Sequence, residues 1–198
     1  FFRAVILVLI NGILKLTLLD YPGHTACTVF TGGCNFRCPF CQNAALVLRV
    51  PEQPVVPEEE LFNLLEKRKG LLDGVCVTGG EPTLQSDLLD FLRRIKEKGF
   101  LVKLDTNGTR PQVISQALDE GLVDKVAMDI KTSRESYPLV AGISKPDMKA
   151  IEDSVKLLMS NPGKYEFRTT VVRQLHTAED MRRIGKWIQG AQEYYLQG

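Results

Sequence analysis

The chain has 198 residues, of which 44% are hydrophobic and 25% charged, and its formal net charge at pH 7 is +1. This length suits a single domain over residues 1–198, and a nearly neutral chain gives no electrostatic reason to expect binding to nucleic acid or to a membrane. Five cysteines, an odd number with three of them clustered, do not form a disulfide framework. We therefore expect a cytoplasmic protein whose thiols are free to bind metals.

The first 19 residues are rich in Val, Ile and Leu, but they do not predict a membrane anchor. The uninterrupted apolar run Ala4–Ile10 is far shorter than the roughly 20 residues that a spanning helix needs. Asn11-Gly12 separates two apolar runs, which is typical of a two-residue β-turn. The sequence therefore predicts an N-terminal β-hairpin over residues 1–19. The chain also lacks an initiating Met, which suggests that it has been trimmed.

Residues 31–43 follow a short predicted strand and contain Cys34, Cys38 and Cys41. This spacing alone would also fit one face of a helix. Pro39 argues against a helix, because it lacks an N–H and disfavours the helical conformation at the residue before it. Gly32-Gly33 allows backbone conformations that other residues avoid. We therefore predict a loop that gathers three thiols at one point.

Three thiolates suit zinc or an iron–sulfur cluster. A four-iron cluster normally takes four cysteines, and the remaining two, Cys27 and Cys76, lie in apolar strand-like runs where a buried, unreactive thiol is expected. A cluster held by three cysteines would keep one iron open to a ligand. The alternative is a structural zinc site completed by His24.

Beyond the loop, short apolar strands alternate with amphipathic helices. The predicted strands cover residues 26–30, 74–78, 100–104, 124–130 and 165–172, and the last predicted helix runs from Met181 through Ile184, Ile188 and Ala191 to Tyr195. Such alternation predicts an α/β fold in which a parallel sheet curls towards a barrel. Five βα units can be counted, so we expect the chain to stop before a sixth strand.

Polar and glycine residues recur just after these strands, at the end of the sheet where such barrels bind ligands. They are Gly79, Gly80 and Glu81, then Asp105 and Thr106, then Asp129 and Lys131. Two carboxylates in consecutive units can share a cation or an ammonium group, although Asp129 and Lys131 could equally form a surface ion pair. Arg168, inside the last predicted strand, should face a carboxylate or the barrel lumen. His176, in a loop, is expected to be solvated rather than catalytic.

Four segments together resemble one family. Cys34-x-x-x-Cys38-x-Phe40-Cys41 is similar to the signature of the radical S-adenosylmethionine (SAM) superfamily. Leu19-Asp20-Tyr21-Pro22-Gly23, Gly79-Gly80-Glu81-Pro82 and Asp105-Thr106-Asn107-Gly108 resemble the glycyl-radical-enzyme activating proteins within it. That group includes the pyruvate formate-lyase activating enzyme and the anaerobic ribonucleotide reductase activating protein. The resemblance covers most of the chain and implies a partial (β/α)6 barrel that is open on one side.

The resemblance also implies cofactors and roles. Cys34, Cys38 and Cys41 would bind a [4Fe–4S] cluster whose fourth iron is chelated by SAM, and Phe40 would belong to the cofactor site. Gly79, Gly80 and Glu81 would bind the methionine amino group, and Lys131 the methionine carboxylate. Asp105, Thr106, Asp129 and Arg168 would lie around SAM, with or without a bound monovalent cation.

The implied activity is reductive cleavage of SAM, with electrons from a flavodoxin- or ferredoxin-type donor, followed by hydrogen abstraction from a backbone glycine of a partner enzyme. The partner most favoured is the anaerobic ribonucleotide reductase, because residues 19–23 and 194–197 most resemble the activating protein of that enzyme. Two departures stand out: Gln42 follows the third cysteine where relatives often have histidine, and no late strand carries a SAM-contacting histidine. The alternatives are a radical SAM enzyme that acts on a small molecule or peptide, and a non-catalytic zinc-binding module.

Overall fold

The computed structural model describes residues 8–198. Seven strands form one sheet and stand side by side in chain order. They are β1 (Ile10–Thr17), β2 (Ala26–Thr31), β3 (Gly74–Gly79), β4 (Leu101–Thr106), β5 (Lys125–Asp129), β6 (Tyr165–Thr170) and β7 (Tyr194–Gln197).

The helices fill the connections between these strands. They are α1 (Ala44–Leu48), α2 (Glu58–Lys67), α3 (Leu88–Glu97), α4 (Pro111–Asp119), α5 (Tyr137–Ala141), α6 (Met148–Met159) and α7 (Ala178–Trp187), with short 3₁₀ helices at Val50–Glu52 and Pro82–Leu84. The starts of α2 and α7 follow the sequence closely. Pro57 precedes three glutamates in the first turn of α2, and Thr177 and Asp180 form a capping box at α7.

The sheet is an open barrel. Strands β2 to β7 run parallel, and β1 pairs antiparallel with β2. Within residues 8–198, β1 and β7 are the two edges of the sheet and do not pair with each other. The predicted α/β fold and its open side are therefore confirmed. All six parallel strands end at the same rim, so residues that follow them come together there.

The core lies between the sheet and the helices. Each helix turns its apolar stripe inwards, as Leu61 and Leu65 of α2, Phe91 of α3 and Ile151 of α6 show by being fully buried. Cys27 and Cys76 are also fully buried, which confirms the prediction that they behave as small apolar residues. No helix among residues 8–198 is long and apolar enough to cross a membrane.

The predicted hairpin at Asn11-Gly12 is wrong for the residues that the structure describes. Both residues lie inside β1, Gly12 does not adopt a positive φ, and the register with β2 shifts at Asn11. The Asn11 side chain donates to the Pro54 carbonyl at 2.7 Å, a contact distant in sequence that no local pattern reveals. The actual reversal lies at residues 18–25, between β1 and β2. Residues 1–7 of the predicted hairpin lie outside the described part.

The prediction that the last strand is missing is also wrong. Gly190, with φ of 94°, follows α7, which ends at Trp187 rather than running on to Tyr195. Tyr194–Gln197 then forms β7, parallel to β6, and is the sixth parallel strand. Its sequence, Tyr-Tyr-Leu-Gln, contains no histidine, so the second departure noted in the sequence stands.

Candidate functional site

A cavity of about 460 Å³ opens at the carboxyl ends of the parallel strands. Every residue that the sequence singled out as a candidate lines it: Cys34, Cys38, Phe40, Cys41, Gly79, Gly80, Glu81, Asp105, Thr106, Asp129, Lys131 and Arg168. The topology brings them together because each follows a strand of the same parallel sheet or lies near its carboxyl end. Leu14 of β1 and Gln197 of β7 complete the lining on the open side.

The cysteine loop, residues 32–43, has no helix or strand, as Pro39 predicted. Its backbone is held from two sides: the Gly33 N–H donates to the Leu46 carbonyl and the Arg37 N–H donates to the Ala141 carbonyl, each at 2.8 Å. The three thiols are half-buried, free and turned towards the cavity. Burial raises the pKa of Cys34 to about 11 and raises that of Cys38 above its ordinary value.

Gly79 and Gly80 allow a close contact between backbone segments that the sequence did not indicate. A Cβ on Gly80 would lie 2.0 Å from the Gly33 carbonyl oxygen, and one on Gly79 would lie 2.3 Å from the Thr31 nitrogen. The close approach is therefore between the β3 end and the cysteine loop. The Glu81 N–H also donates to the Gly33 carbonyl at 2.7 Å. These glycines allow two backbone segments to touch.

Glu81 joins this contact to the next strand end. Its side chain is 1% exposed and accepts hydrogen bonds from the N–H and hydroxyl of Thr83, the hydroxyl of Thr106 and the N–H of Asn107. Burial raises the pKa of Glu81, and these four donors oppose that shift. The carboxylate therefore ties the end of β3 to the end of β4.

A row of ion pairs crosses the other side of the cavity. Arg168 donates to Asp129 at 3.0 Å and to Asp105 at 3.3 Å. Lys131 donates to the second oxygen of Asp129 at 2.9 Å. The prediction that Arg168 faces a carboxylate is confirmed, and the cation that Asp105 and Asp129 share is this guanidinium. Asp129 and Lys131 do pair, but in the cavity wall rather than on an open surface.

These contacts fix the charges of the row. The nearby Lys131 and Arg168 lower the pKa of Asp129 against the opposing effect of its burial. Asp129 in turn raises the pKa of Lys131, and with Asp105 raises that of Arg168, again against burial. All three groups are therefore ionised over the physiological pH range.

His176 corrects another prediction. It is 8% exposed, its Nε2 lies 2.8 Å from the Lys131 carbonyl, and the Val172 N–H donates to its Nδ1 at 3.0 Å. Its ring meets the edge of Phe40, with centroids 6.3 Å apart. The imidazole is thus a buried support behind Phe40 and Lys131. The sequence placed it in a loop correctly but gave no sign that the loop folds inwards.

Other residues of the site were missed. The Asn107 amide lies 3.9 Å from the Cys34 sulfur, and the Asn43 amide donates to the Gly79 carbonyl at 3.0 Å. Tyr137 of α5 accepts from the Lys131 N–H at 3.3 Å and packs against Phe36 of the cysteine loop. Asn107 could have been found from its place within the Asp105–Gly108 motif. For Asn43 and Tyr137 the sequence carries no signal.

The zinc alternative does not fit this arrangement. His24 precedes β2, whereas the cysteine loop follows it, so the six residues of the strand, about 20 Å at the usual rise, separate them. Over residues 8–198, no group of three or more His, Cys, Asp or Glu is placed to hold a metal ion. This finding argues against zinc. It does not bear on a cluster, because cysteines that bind different irons of one cluster need not converge on a single point.

A family model described as the radical SAM superfamily matches residues 28–188. The chain belongs to the radical SAM superfamily. It is therefore an enzyme of the class that uses a [4Fe–4S] cluster and SAM, and the non-catalytic zinc-binding module is excluded.

Two curated relatives and one solved structure are similar to this radical SAM enzyme over most of its length. A Methanocaldococcus jannaschii protein named "Putative glycyl-radical enzyme activating enzyme" is 35% identical across 96% of this chain and 79% of its own. The 7-carboxy-7-deazaguanine synthase of Thermoplasma acidophilum is 27% identical across 86% of this chain and 82% of its own. QueE from Escherichia coli superimposes with a TM-score of 0.53 over 96% of this chain and 93% of that chain, at 17% identity, which shows the fold alone.

The residues present fit the cofactors of the radical SAM family. Three free thiols face one cavity, and the remaining cysteines, Cys27 and Cys76, are fully buried and do not line it. A cluster held there would have three cysteine ligands and one open iron. Asp129 and Lys131, which pair with each other, line the same cavity as the thiols, so fixed charges and the candidate cluster ligands share one space.

Proposed function

We propose that this radical SAM enzyme activates a glycyl radical enzyme, with Cys34, Cys38 and Cys41 as the ligands of its [4Fe–4S] cluster. The observation that carries the ligand assignment is the set of three half-buried, free thiols on one cavity wall without a fourth cysteine beside them. When bound, the cluster and SAM supply a radical able to take a hydrogen atom from a backbone glycine. The chain's own residues position these cofactors and exclude water.

The ionic side of the cavity would orient SAM. Lys131 keeps its ammonium charged beside Asp129, so we assign it to the methionine carboxylate, a charge-assisted contact. Asp105, Asp129 and Arg168 would set the field around the nucleoside and sulfonium. Phe40, held against His176, would supply an apolar surface to the same site.

The Gly79–Glu81 segment would still meet the methionine amino group, but through its backbone. The Glu81 carboxylate is already used by four donors, one of them the Thr106 hydroxyl. We therefore propose that Glu81 and Thr106 hold the β3 and β4 ends in place. Backbone carbonyls of this segment remain the acceptors for an ammonium group.

For the partner we propose the anaerobic ribonucleotide reductase, and for the electron donor a flavodoxin- or ferredoxin-type protein, both in the cytoplasm. The name and 35% identity of the M. jannaschii relative support a glycyl radical enzyme as the class of partner. The choice of ribonucleotide reductase rests on the resemblance of residues 19–23 and 194–197. Gln197 lines the open side of the cavity, where a partner's segment would have to enter.

Electron paramagnetic resonance tests the proposal. The enzyme is incubated anaerobically with SAM, a reductant and a candidate anaerobic ribonucleotide reductase, and we expect a glycyl radical doublet. A reductase whose acceptor glycine is replaced by alanine is the control and should give no doublet. SAM cleavage without a doublet from the intact reductase would overturn the partner and leave the cofactor assignment standing.

A second candidate is action on a small molecule. The T. acidophilum synthase matches over most of both chains, so its size and fold span are shared. Incubation with deazapurine substrates and product analysis by mass spectrometry would separate the two functions. A new small-molecule product formed without any protein partner would favour this candidate.

A further inference from the structure

The two carboxylates that face SAM in the proposed site, Asp105 and Asp129, have no oxygen left without a cationic donor. Asp129 has Arg168 on one oxygen and Lys131 on the other. Asp105 has Arg168 on one oxygen at 3.3 Å and Lys103 on the other at 2.8 Å. A monovalent cation, which the family resemblance implies at this place, would have to share oxygens that already receive positive charge from these donors.

The Thr106 hydroxyl, a third oxygen that such an ion could use, is already hydrogen-bonded. The Thr106 hydroxyl donates to Glu81 at 2.7 Å and accepts from the Gly108 N–H at 3.1 Å. Its hydrogen bonds therefore lie within the β3–β4 junction. Asp105, Thr106 and Asp129 therefore offer a hard cation no oxygen without a donor, whereas such an ion is held by several oxygens at once.

Lys103 supplies positive charge to Asp105, which a bound cation would otherwise supply. It lies two residues before Asp105 on β4, so both side chains point to the same face of the sheet, and it is 1% exposed. Its ammonium lies 2.8 Å from Asp105 and 3.5 Å from Glu166 of β6. Burial of a lysine costs free energy unless its charge is paired. Here the carboxylates of Asp105 and Glu166 pair with it.

The row as a whole balances its own charge. Three cations, Lys103, Arg168 and Lys131, alternate in space with three carboxylates, Glu166, Asp105 and Asp129. We propose that this enzyme needs no monovalent cation at its SAM site, because Lys103 and Arg168 provide the positive charge to Asp105 and Asp129 from within the chain. Lys103 is then a positioning residue, which acts on SAM through Asp105 without touching the cavity.

The inference rests on SAM binding beside these carboxylates and requires no partner protein. Its first test uses the wild-type holoenzyme, purified anaerobically, in potassium, sodium, caesium or choline chloride at one ionic strength. The dissociation constant of SAM and the midpoint of thermal unfolding should agree in all four salts, the constant within about twofold. SAM binding that is about tenfold weaker in choline than in potassium would overturn the proposal.

The second test removes the ammonium with Lys103→Met, which keeps an unbranched apolar chain of similar length. In choline the variant should bind SAM about tenfold more weakly, and potassium or sodium should restore part of that affinity. Lys125→Met is the matched control, because Lys125 pairs with Glu193 and does not line the cavity. Its SAM affinity should match the wild type in every salt.

Two results with Lys103→Met would contradict the proposal. Unchanged SAM affinity would show that the ammonium is not needed. Weaker affinity that is the same in potassium and choline would show that the lysine only supports the fold. Failure of glycyl radical formation with a candidate partner would leave all of these readouts untouched, so it bears on the proposed function alone.

Discussion

The cysteine wall, residues 32–43 with the Gly79–Glu81 segment, and the ionic wall, Asp105, Asp129, Lys131 and Arg168, face the same cavity but are built from different contacts. In the cysteine wall, backbone groups meet at close range, as where Gly33 touches Gly80 and Glu81. In the ionic wall, long side chains from β4, β5 and β6 reach across the sheet to one another. The backbone contact in the cysteine wall depends on Gly80 having no side chain. The ionic wall depends on the charges of its side chains.

Because the two walls are built from different contacts, changes in them should affect the two cofactors separately. Disturbing the cysteine wall should affect cluster assembly, whereas disturbing the ionic wall should affect SAM binding and leave the cluster in place. The following predictions test this division, from the largest expected effect to the smallest.

Cys38→Ala should abolish cluster assembly. The proposed four-iron cluster has three protein ligands, and only two thiolates remain in this variant. We expect loss of bound iron and sulfide, of the visible absorbance and of reductive SAM cleavage. Cys76→Ala is the control, since Cys76 is fully buried outside the cavity. Iron and SAM cleavage retained by Cys38→Ala would refute the ligand assignment.

Arg168→Met should weaken SAM binding by at least about tenfold while the cluster stays. Removal of the guanidinium leaves Asp105 and Asp129, which are partly exposed, short of a donor, and we expect this to cost about 1–3 kcal/mol of unfolding free energy. Denaturant unfolding and iron content measure the two effects. Arg182→Met, which breaks an exposed pair with Glu179, should change stability by less than about 0.5 kcal/mol. Loss of iron in Arg168→Met would contradict the division of the two walls.

Gly80→Ala should push the cysteine wall apart, because the new methyl would meet the Gly33 carbonyl at 2.0 Å. We expect about 1–3 kcal/mol of destabilisation and incomplete iron loading. The matched control is Gly185→Ala in the interior of α7, where nothing lies within 4 Å of the added Cβ. That change should stabilise the protein by about 0.5–1 kcal/mol. Full iron loading of Gly80→Ala would show that the contact is dispensable.

The fold should lose stability in acid because the stabilising contribution of Asp129 is lost there. Its pKa in the folded state is lowered by Lys131 and Arg168, so its contribution is complete above its unfolded pKa of about 4 and is lost as the pH falls through the folded pKa. Unfolding free energies measured between neutral pH and pH 3 should therefore fall less steeply for Asp129→Asn than for the wild type. Parallel pH profiles would contradict the ion pairing.

For Glu81 we expect the opposite and smaller dependence of unfolding free energy on pH. Burial raises its folded pKa, so its contribution is present below its unfolded pKa of about 4.5 and is lost as the pH rises through the folded pKa. The difference in unfolding free energy between the wild type and Glu81→Gln should shrink as the pH rises from 4 towards 7. A difference that grows with pH would mean that the hydrogen bonds to Glu81 outweigh its burial.

Much of the fold could be predicted from local patterns. The spans of β2 to β6 and the inner faces of α2, α3, α4 and α6 follow the periodicity of their apolar residues, because burial on one face selects that period. β7 was missed because four residues, Tyr-Tyr-Leu-Gln, are too few to show an alternation. The prediction of a turn at Asn11-Gly12 was wrong because pairing with β2 outweighed the local turn preference of these two residues.

The sequence alone determined the cysteine loop, the candidate residues at the strand ends and the family, because these depend on residue type, short spacing and the order of motifs along the chain. Only the tertiary structure decided that Gly80 makes room for Gly33, that Thr106 is bound to Glu81, and that Lys103 lies between Asp105 and Glu166. The contacts of Glu81 with Thr106, of Gly33 with Gly80 and of Lys103 with Glu166 join residues 25, 47 and 63 positions apart in the chain. Their distances are fixed by the register of neighbouring strands, which a single sequence does not reveal.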